Sequence, residues 1–239
     1  MQLSKKGNNP VLAVGYFFRG LRLLTNPQLR AFLIIPVLIN LVLYSVVLAL
    51  GYFYVSDLID QFIPDWLQWL NWILWPLFFI SFFIAGFFSF TVLANLIAAP
   101  FYGKLAAKTL SIITGEAGAG EEQPLAKVMV AELKRIGYLV VRALPLLLLF
   151  IIPGINVIAP FLWALFGAWG MALEYMAYPL ENEGMLFTEQ KQLAKSIRLG
   201  ALGFGGITMA GLTLPLLNIV VAPAAVIGAT IYLHEVKQD

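Results

Sequence analysis

Four long stretches of the chain carry no charged side chain: residues 31–56, 66–103, 143–173 and 199–233. The first offers a spanning helix over 31–55, about 38 Å long against a hydrocarbon core of about 30 Å, with Pro36 in its opening turns. The second is too long for one span. It opens with Trp66, Trp69, Trp72 and Trp75 at a spacing of three, read as an aromatic belt at the outer interface. The spanning helix proper is then expected over 76–99, ended by Pro100.

The third and fourth stretches are each interrupted near their middle. Pro153-Gly154-Ile155-Asn156 with Ala159-Pro160 is echoed by Pro215-Leu216-Leu217-Asn218 with Ala222-Pro223. Two prolines around an asparagine favour a turn over a continuous helix. An arm such as 143–152 covers only about 15 Å. Residues 143–173 and 199–233 therefore read as re-entrant helical hairpins, with two proline-kinked full spans as the competing arrangement. Ahead of the first span, Asn9-Pro10 and Asn26-Pro27 each pair an N-capping Asn with Pro at the first helical position. Between them residues 10–24 form an amphipathic interfacial helix, with Gly15, Arg19, Arg22 and Asn26 along one face. Residues 104–142 are expected as a cytoplasmic helical connector, broken at Gly115–Gly120. Ala201-x-x-x-Gly205 and Gly206-x-x-x-Ala210 suit close helix contact, either within one chain or between subunits.

Composition agrees with this pattern: 61% of the 239 residues are hydrophobic and 12% charged, too few charges to cover a water-soluble surface. The fold class is an all-α integral membrane protein forming a single membrane domain. Residues 1–30 hold five basic side chains and no acid, whereas 31–103 hold Asp57, Asp60 and Asp65 and no base. The basic N-terminus is thus cytoplasmic and the 56–65 loop exported, with both connectors and the C-terminus inside if the hairpins re-enter. No cleavable signal peptide is expected, because the first apolar run begins only after Arg30 and is too long.

The chain has no cysteine and one histidine, His234, so metal and thiolate sites are not expected. No hydrolase or phosphate-loop motif is present, and Asp57, Asp60 and Asp65 read as a solvated face. The expectation is a protein that is not an enzyme and needs no cofactor, metal or nucleic-acid partner. Anion chemistry remains. The start of the first span presents the amides of Gln28, Leu29 and Arg30 plus the Arg30 guanidinium, a donor set suited to a tetrahedral dianion. Arg30, like Arg19 and Arg22, has the alternative of snorkelling to lipid phosphate. Asn40 and Asn95 fit bonds between spans, and Glu174 either carries a coupling proton or marks the interface. Asn156 and Asn218, at the two turns, join Glu174 as candidate pathway or coupling residues.

Taken in order, these residues resemble the CysZ family of bacterial inner-membrane sulfate transporters. The resemblance rests on Asn26-Pro27-Gln28-Leu29-Arg30-Ala31-Phe32 with Pro36 and Asn40, on Pro64-Asp65-Trp66-Leu67-Gln68-Trp69-Leu70, and on Asn95-x-Ile97-Ala98-Ala99-Pro100-Phe101. Both hairpin turns and Tyr178-Pro179 extend it, so that it runs from about residue 10 to 235. It implies two long spanning helices, two partly penetrating hairpins, a homo-oligomer in the lipid bilayer, and sulfate uptake for cysteine biosynthesis. The family binds sulfate at a Gly-Leu-Arg-Arg stretch; here Leu29 and Arg30 match, Gln28 stands for the glycine and Ala31 for the second arginine. Gly20-Leu21-Arg22 repeats the tripeptide inside the interfacial helix, which holds Arg22 in reserve. The family's acid before Tyr-Pro is Ala177 here, leaving Glu174 as its substitute. Competing functions are a membrane scaffold without transport and a carrier of thiosulfate or sulfite.

Overall fold

The structure is a computed structural model. It describes residues 4–115, 125–214 and 217–238, and within them all side chains except those of 87, 88, 90–100, 125, 126, 128 and 238. The Asn95 side chain, most of the Gly115–Gly120 break, and Pro215 and Leu216 of the second turn lie outside the described residues. Among those described, the α-helices are α1 (Pro10–Leu23), α2 (Pro27–Phe62), α3 (Asn71–Thr114), α4 (Leu125–Leu148), α5 (Ala159–Glu181), α6 (Phe187–Ser196), α7 (Arg198–Leu212) and α8 (Asn218–Gln238). Short 3-10 turns occupy Lys5–Asn8 and Asp65–Leu70. Three segments are long and apolar enough to cross a membrane: Pro27–Phe62, Asp65–Gly86 and Asn218–Lys237. The chain is an all-α membrane protein.

Helix boundaries differ from the sequence expectations in one consistent direction. Helix α2 does not stop near residue 55 but continues through Asp57 and Asp60 to Phe62. Helix α3 passes through Pro100 without ending. A proline removes one backbone donor, whereas ending a helix strands four carbonyls, which apolar surroundings punish more heavily. The 104–142 connector is accordingly divided between the end of α3 and about the first five turns of α4.

Two compact units are present, one of residues 33–99 and one of residues 1–32 with 100–239. In the first, α2 and α3 run antiparallel, because their partners pair in opposite order: Tyr52 stacks on Trp75 at 4.7 Å, and Tyr44 meets Phe82 and the Ser89 hydroxyl further along. Trp66, Trp69 and Trp72 point outward.

In the second unit α8 is the centre. Ala224, Ala225, Val226, Ile227 and Ala229 are fully buried, under α1, α5 and α7. Small residues bring the backbones together. A Cβ on Gly20 would strike the Ala224 carbonyl, and one on Gly228 would lie 2.8 Å from the Tyr16 carbonyl oxygen. A Cβ on Gly205 of α7 would strike the Ala168 carbonyl of α5, whereas Gly206 has room. The Gly205 contact is therefore made within one chain. Helix α1 is docked rather than merely lying at an interface: Ala13, Phe17 and Leu24 are buried while Val11, Leu12 and Phe18 stay outward. Arg19 forms a two-pronged pair with Glu235, at 2.8 and 2.6 Å, and the Tyr16 hydroxyl donates to the same carboxylate.

Both proline–asparagine segments reverse the chain. Tyr138 meets Trp169, and Phe150 meets Trp163, so α4 and α5 are antiparallel about a turn at Pro153-Gly154. Gly154 has φ +85°, a conformation that suits glycine. Phe204 stacks near Tyr232 and Gly211 faces Val221, which makes α7 and α8 antiparallel as well.

Candidate anion site at the α1–α2 corner

The corner between α1 and α2 is built by local hydrogen bonds. The Thr25 amide and hydroxyl both donate to the Arg22 carbonyl, at 3.2 and 2.8 Å. The Thr25 carbonyl in turn accepts the Arg30 Nε–H at 2.8 Å. Thr25 thus bonds the backbone of Arg22 on one side and the side chain of Arg30 on the other, fixing the Arg30 guanidinium against the turn. Arg22, Gln28 and Arg30 are all exposed. The end of α1 and the start of α2 thus each carry an exposed arginine beside this turn, and an exposed cation meets an oxyanion without the desolvation cost of a buried charge.

The helix-end amides contribute differently from the sequence expectation of free donors. Asn26 Oδ1 accepts the Gln28 N–H at 3.0 Å, and the Asn26 carbonyl accepts those of Leu29 and Arg30 at 3.0 and 3.2 Å. The capping Asn, placed there to satisfy orphan donors, occupies the amides that an anion would use. Leu29 is completely buried and serves packing. What this corner offers an anion is side-chain charge plus the field of the helix terminus.

The remaining candidates fall apart from this corner in role. Asn156 is exposed at its turn. Asn218 is buried, and its Nδ2 donates to the Leu212 carbonyl at 3.2 Å, closing the end of α7. Asn40 is completely buried. Glu174 sits just past the apolar arm of α5, half-buried, and belongs to a polar cluster that the sequence reading did not assemble. Arg135 of α4 binds Glu132 one turn away at 2.6 Å and also faces Glu174 and Glu181 electrostatically. Tyr102, Tyr175 and Tyr178 pack beside them, with ring centroids 5.3 and 6.3 Å apart. Burial pushes the Glu174 carboxyl above the usual range, against the opposing pull of Arg135. Glu181 is raised for the same first reason, with Arg135 and the Gln190 amide working against it. The Glu132-x-x-Arg135 spacing on a helix was the available signal for this cluster. No group of residues able to hold a metal ion is found among the described residues.

Comparison with known proteins agrees with the order of motifs. The family described as sulfate transporter CysZ/etoposide-induced protein 2.4 matches residues 16–223. Proteins named sulfate transporter CysZ are similar over almost the whole chain. That of Pseudomonas aeruginosa (strain LESB58) is 38% identical over 226 residues, covering 91% of this chain and 92% of its own. That of Pseudomonas fluorescens (strain Pf0-1) is 37% identical over 237 residues, covering 93% of each. That of Pectobacterium atrosepticum is 37% identical over 228 residues, covering 91% and 82%. With the match running unbroken from α1 into α8, the chain belongs to the sulfate transporter CysZ/etoposide-induced protein 2.4 family.

Proposed function

We propose that this chain is a sulfate permease of the bacterial inner membrane, with both termini cytoplasmic, working as a homo-oligomer and supplying sulfate for cysteine biosynthesis. It performs no chemistry on its cargo and uses no cofactor. The observation that carries this reading is the α1–α2 corner, where Thr25 joins Arg22 to Arg30 on an exposed turn, in a chain whose relatives are named sulfate transporters.

Sulfate is a tetrahedral dianion, and two guanidinium groups offer it paired N–H donors. Exposure keeps the binding weak enough for release, as permeation requires. Gln28, exposed on the same turn, adds a neutral donor where the family pattern has glycine. Glu174, with Arg135 and Glu132, forms a second polar station that sulfate or a proton meets beyond the corner; in an apolar protein such a cluster is costly without a role. Asn156 and Asn218 line the turns at which the hairpins reverse.

Radiolabelled sulfate uptake into proteoliposomes tests this. Wild type should show saturable uptake, and Arg30→Ala should raise KM by about tenfold or more at unchanged thermal stability. Arg22→Ala should have the smaller effect of the two. Saturable uptake untouched by either substitution would discard the corner while retaining transport. Absence of uptake by folded wild-type protein would favour the scaffold, and stronger competition by thiosulfate or sulfite than by sulfate would reassign the cargo.

A further inference from the structure

Thr25 stands in a turn that is anchored on both sides. Leu24 before it is buried and Leu29 after it is completely buried. The Leu24 and Asn26 amides donate to the Gly20 and Leu23 carbonyls, at 3.0 and 2.9 Å. Within that frame the Thr25 hydroxyl and amide converge on the Arg22 carbonyl, at 2.8 and 3.2 Å. The hydroxyl bond has the usual length for its kind, whereas the amide bond is at the long end of its range. The hydroxyl is therefore the firmer hold on the residue, whose own carbonyl accepts the Arg30 Nε–H at 2.8 Å.

That last bond decides which part of Arg30 is available. A guanidinium is a planar fork of N–H donors, and it can take two oxygens either through its Nε side or end-on through Nη1 and Nη2. With Nε spent on Thr25, the end-on pair remains. Neither Nη makes a hydrogen bond or ion pair among the described residues, and Arg30 is exposed. Arg22 is exposed as well, but Thr25 reaches only its backbone carbonyl, so its guanidinium has no such tether. A fork that is already held loses less freedom on meeting an anion than one that must first be ordered.

We propose that Thr25 is the positioning residue of the anion corner: by holding Arg30 through Nε it presents the Nη1–Nη2 edge end-on to two oxygens of the incoming oxyanion. This rests on the reading of Arg30 as a sulfate contact. The competing role for the same bond is to close the end of α1 by satisfying a carbonyl just past it. Helix closure would be felt in stability, and positioning in affinity.

Sulfate uptake by the full-length protein in proteoliposomes, read separately as KM and maximal rate, divides the two roles. Thr25→Val removes the hydroxyl but keeps the branched shape, and should raise KM by about threefold at an unchanged maximal rate. Thr25→Ser, which keeps the hydroxyl, should have the wild-type KM. Arg30→Lys retains the charge without Nε or a fork, and should raise KM by about fivefold or more. In that background Thr25→Val should change KM no further, because the coupling runs through Nε. Thr25→Val with a wild-type KM and lowered thermal stability would assign the bond to helix closure and overturn the proposal. So would Thr25→Ser behaving as Thr25→Val does, or an undiminished effect of Thr25→Val in the Arg30→Lys background; each leaves the corner itself in place. A wild-type KM in Arg30→Ala, or no uptake by folded wild type, would strike the corner, and the role of Thr25 would fall with it.

Discussion

The two hairpins share a proline–asparagine turn, yet they are packed in opposite ways. In the second, α8 is enclosed on most sides and its Asn218 is buried against the end of α7. In the first, α4 keeps a long apolar stripe exposed, and Asn156 and Gly154 face outward at the turn. The turn motif therefore sets chain reversal and not burial. Burial follows from what the arms carry. The arms around the second turn are rich in glycine and alanine, which let backbones approach. Helix α4 instead carries long aliphatic side chains along its outward face, which hold a neighbour's backbone away.

The sharpest way to break this contrast is to enlarge the small residues. Gly205→Leu drives a side chain into the Ala168 carbonyl and should cost about 3 kcal/mol or more, read as loss of monodisperse protein in detergent. Gly206→Ala, one residue along with space for its methyl group, should be neutral or stabilising by up to about 1 kcal/mol. If both changes were equally harmful, close packing at Gly205 would not be the cause. A smaller difference is expected between the two turn asparagines. Asn218→Ala loses a buried bond to the Leu212 carbonyl and should lower stability by about 1–2 kcal/mol. Asn156→Ala, at an exposed turn, should stay within about 0.5 kcal/mol by the same unfolding assay.

The gentlest test concerns pH. Burial raises the Glu174 carboxyl above its ordinary 4.5, with Arg135 opposing and Glu132 assisting; Tyr102, Tyr175, Tyr178 and Glu181 stand around the same cluster. The native state then holds that proton more tightly than the unfolded chain does. Its contribution is fully present below about pH 4.5 and declines as pH rises through the native pKa. Glu174→Gln should flatten that part of the stability–pH curve while Asn156→Ala leaves it in place. An unchanged slope in Glu174→Gln would remove this carboxyl from the account.

Legibility from sequence followed the reach of the interactions. The Asn9 and Asn26 caps, the two chain reversals and the outward tryptophans depend on neighbours within a few residues, and the local pattern displays them. The passage of α3 through Pro100 did not read that way, because a local breaker is overruled by the need of every apolar-phase amide for a partner. The same limit applied to the anion corner. Arg30 was visible as a cation at a helix start, but its tie through Thr25 to Arg22, and the occupation of the amides by Asn26, are details of turn geometry. The Arg135 cluster draws on three helices, of which the sequence pattern displays only the Glu132-x-x-Arg135 pair on α4.

The clamp between Arg19 and Glu235 joins residues 216 apart in sequence, and the amide of Ser4 likewise donates to the carbonyl of Val236. During synthesis α1 leaves the ribosome first and its partner α8 last. At ordinary elongation rates the interval between them is roughly 10–40 s. For that whole period Phe17 and Gly20 have no α8 to cover them, so the membrane surface must shelter α1 until the chain is finished. A chain that stops short of α8 would leave α1 on the bilayer indefinitely, exposing a glycine-faced helix to the wrong partners.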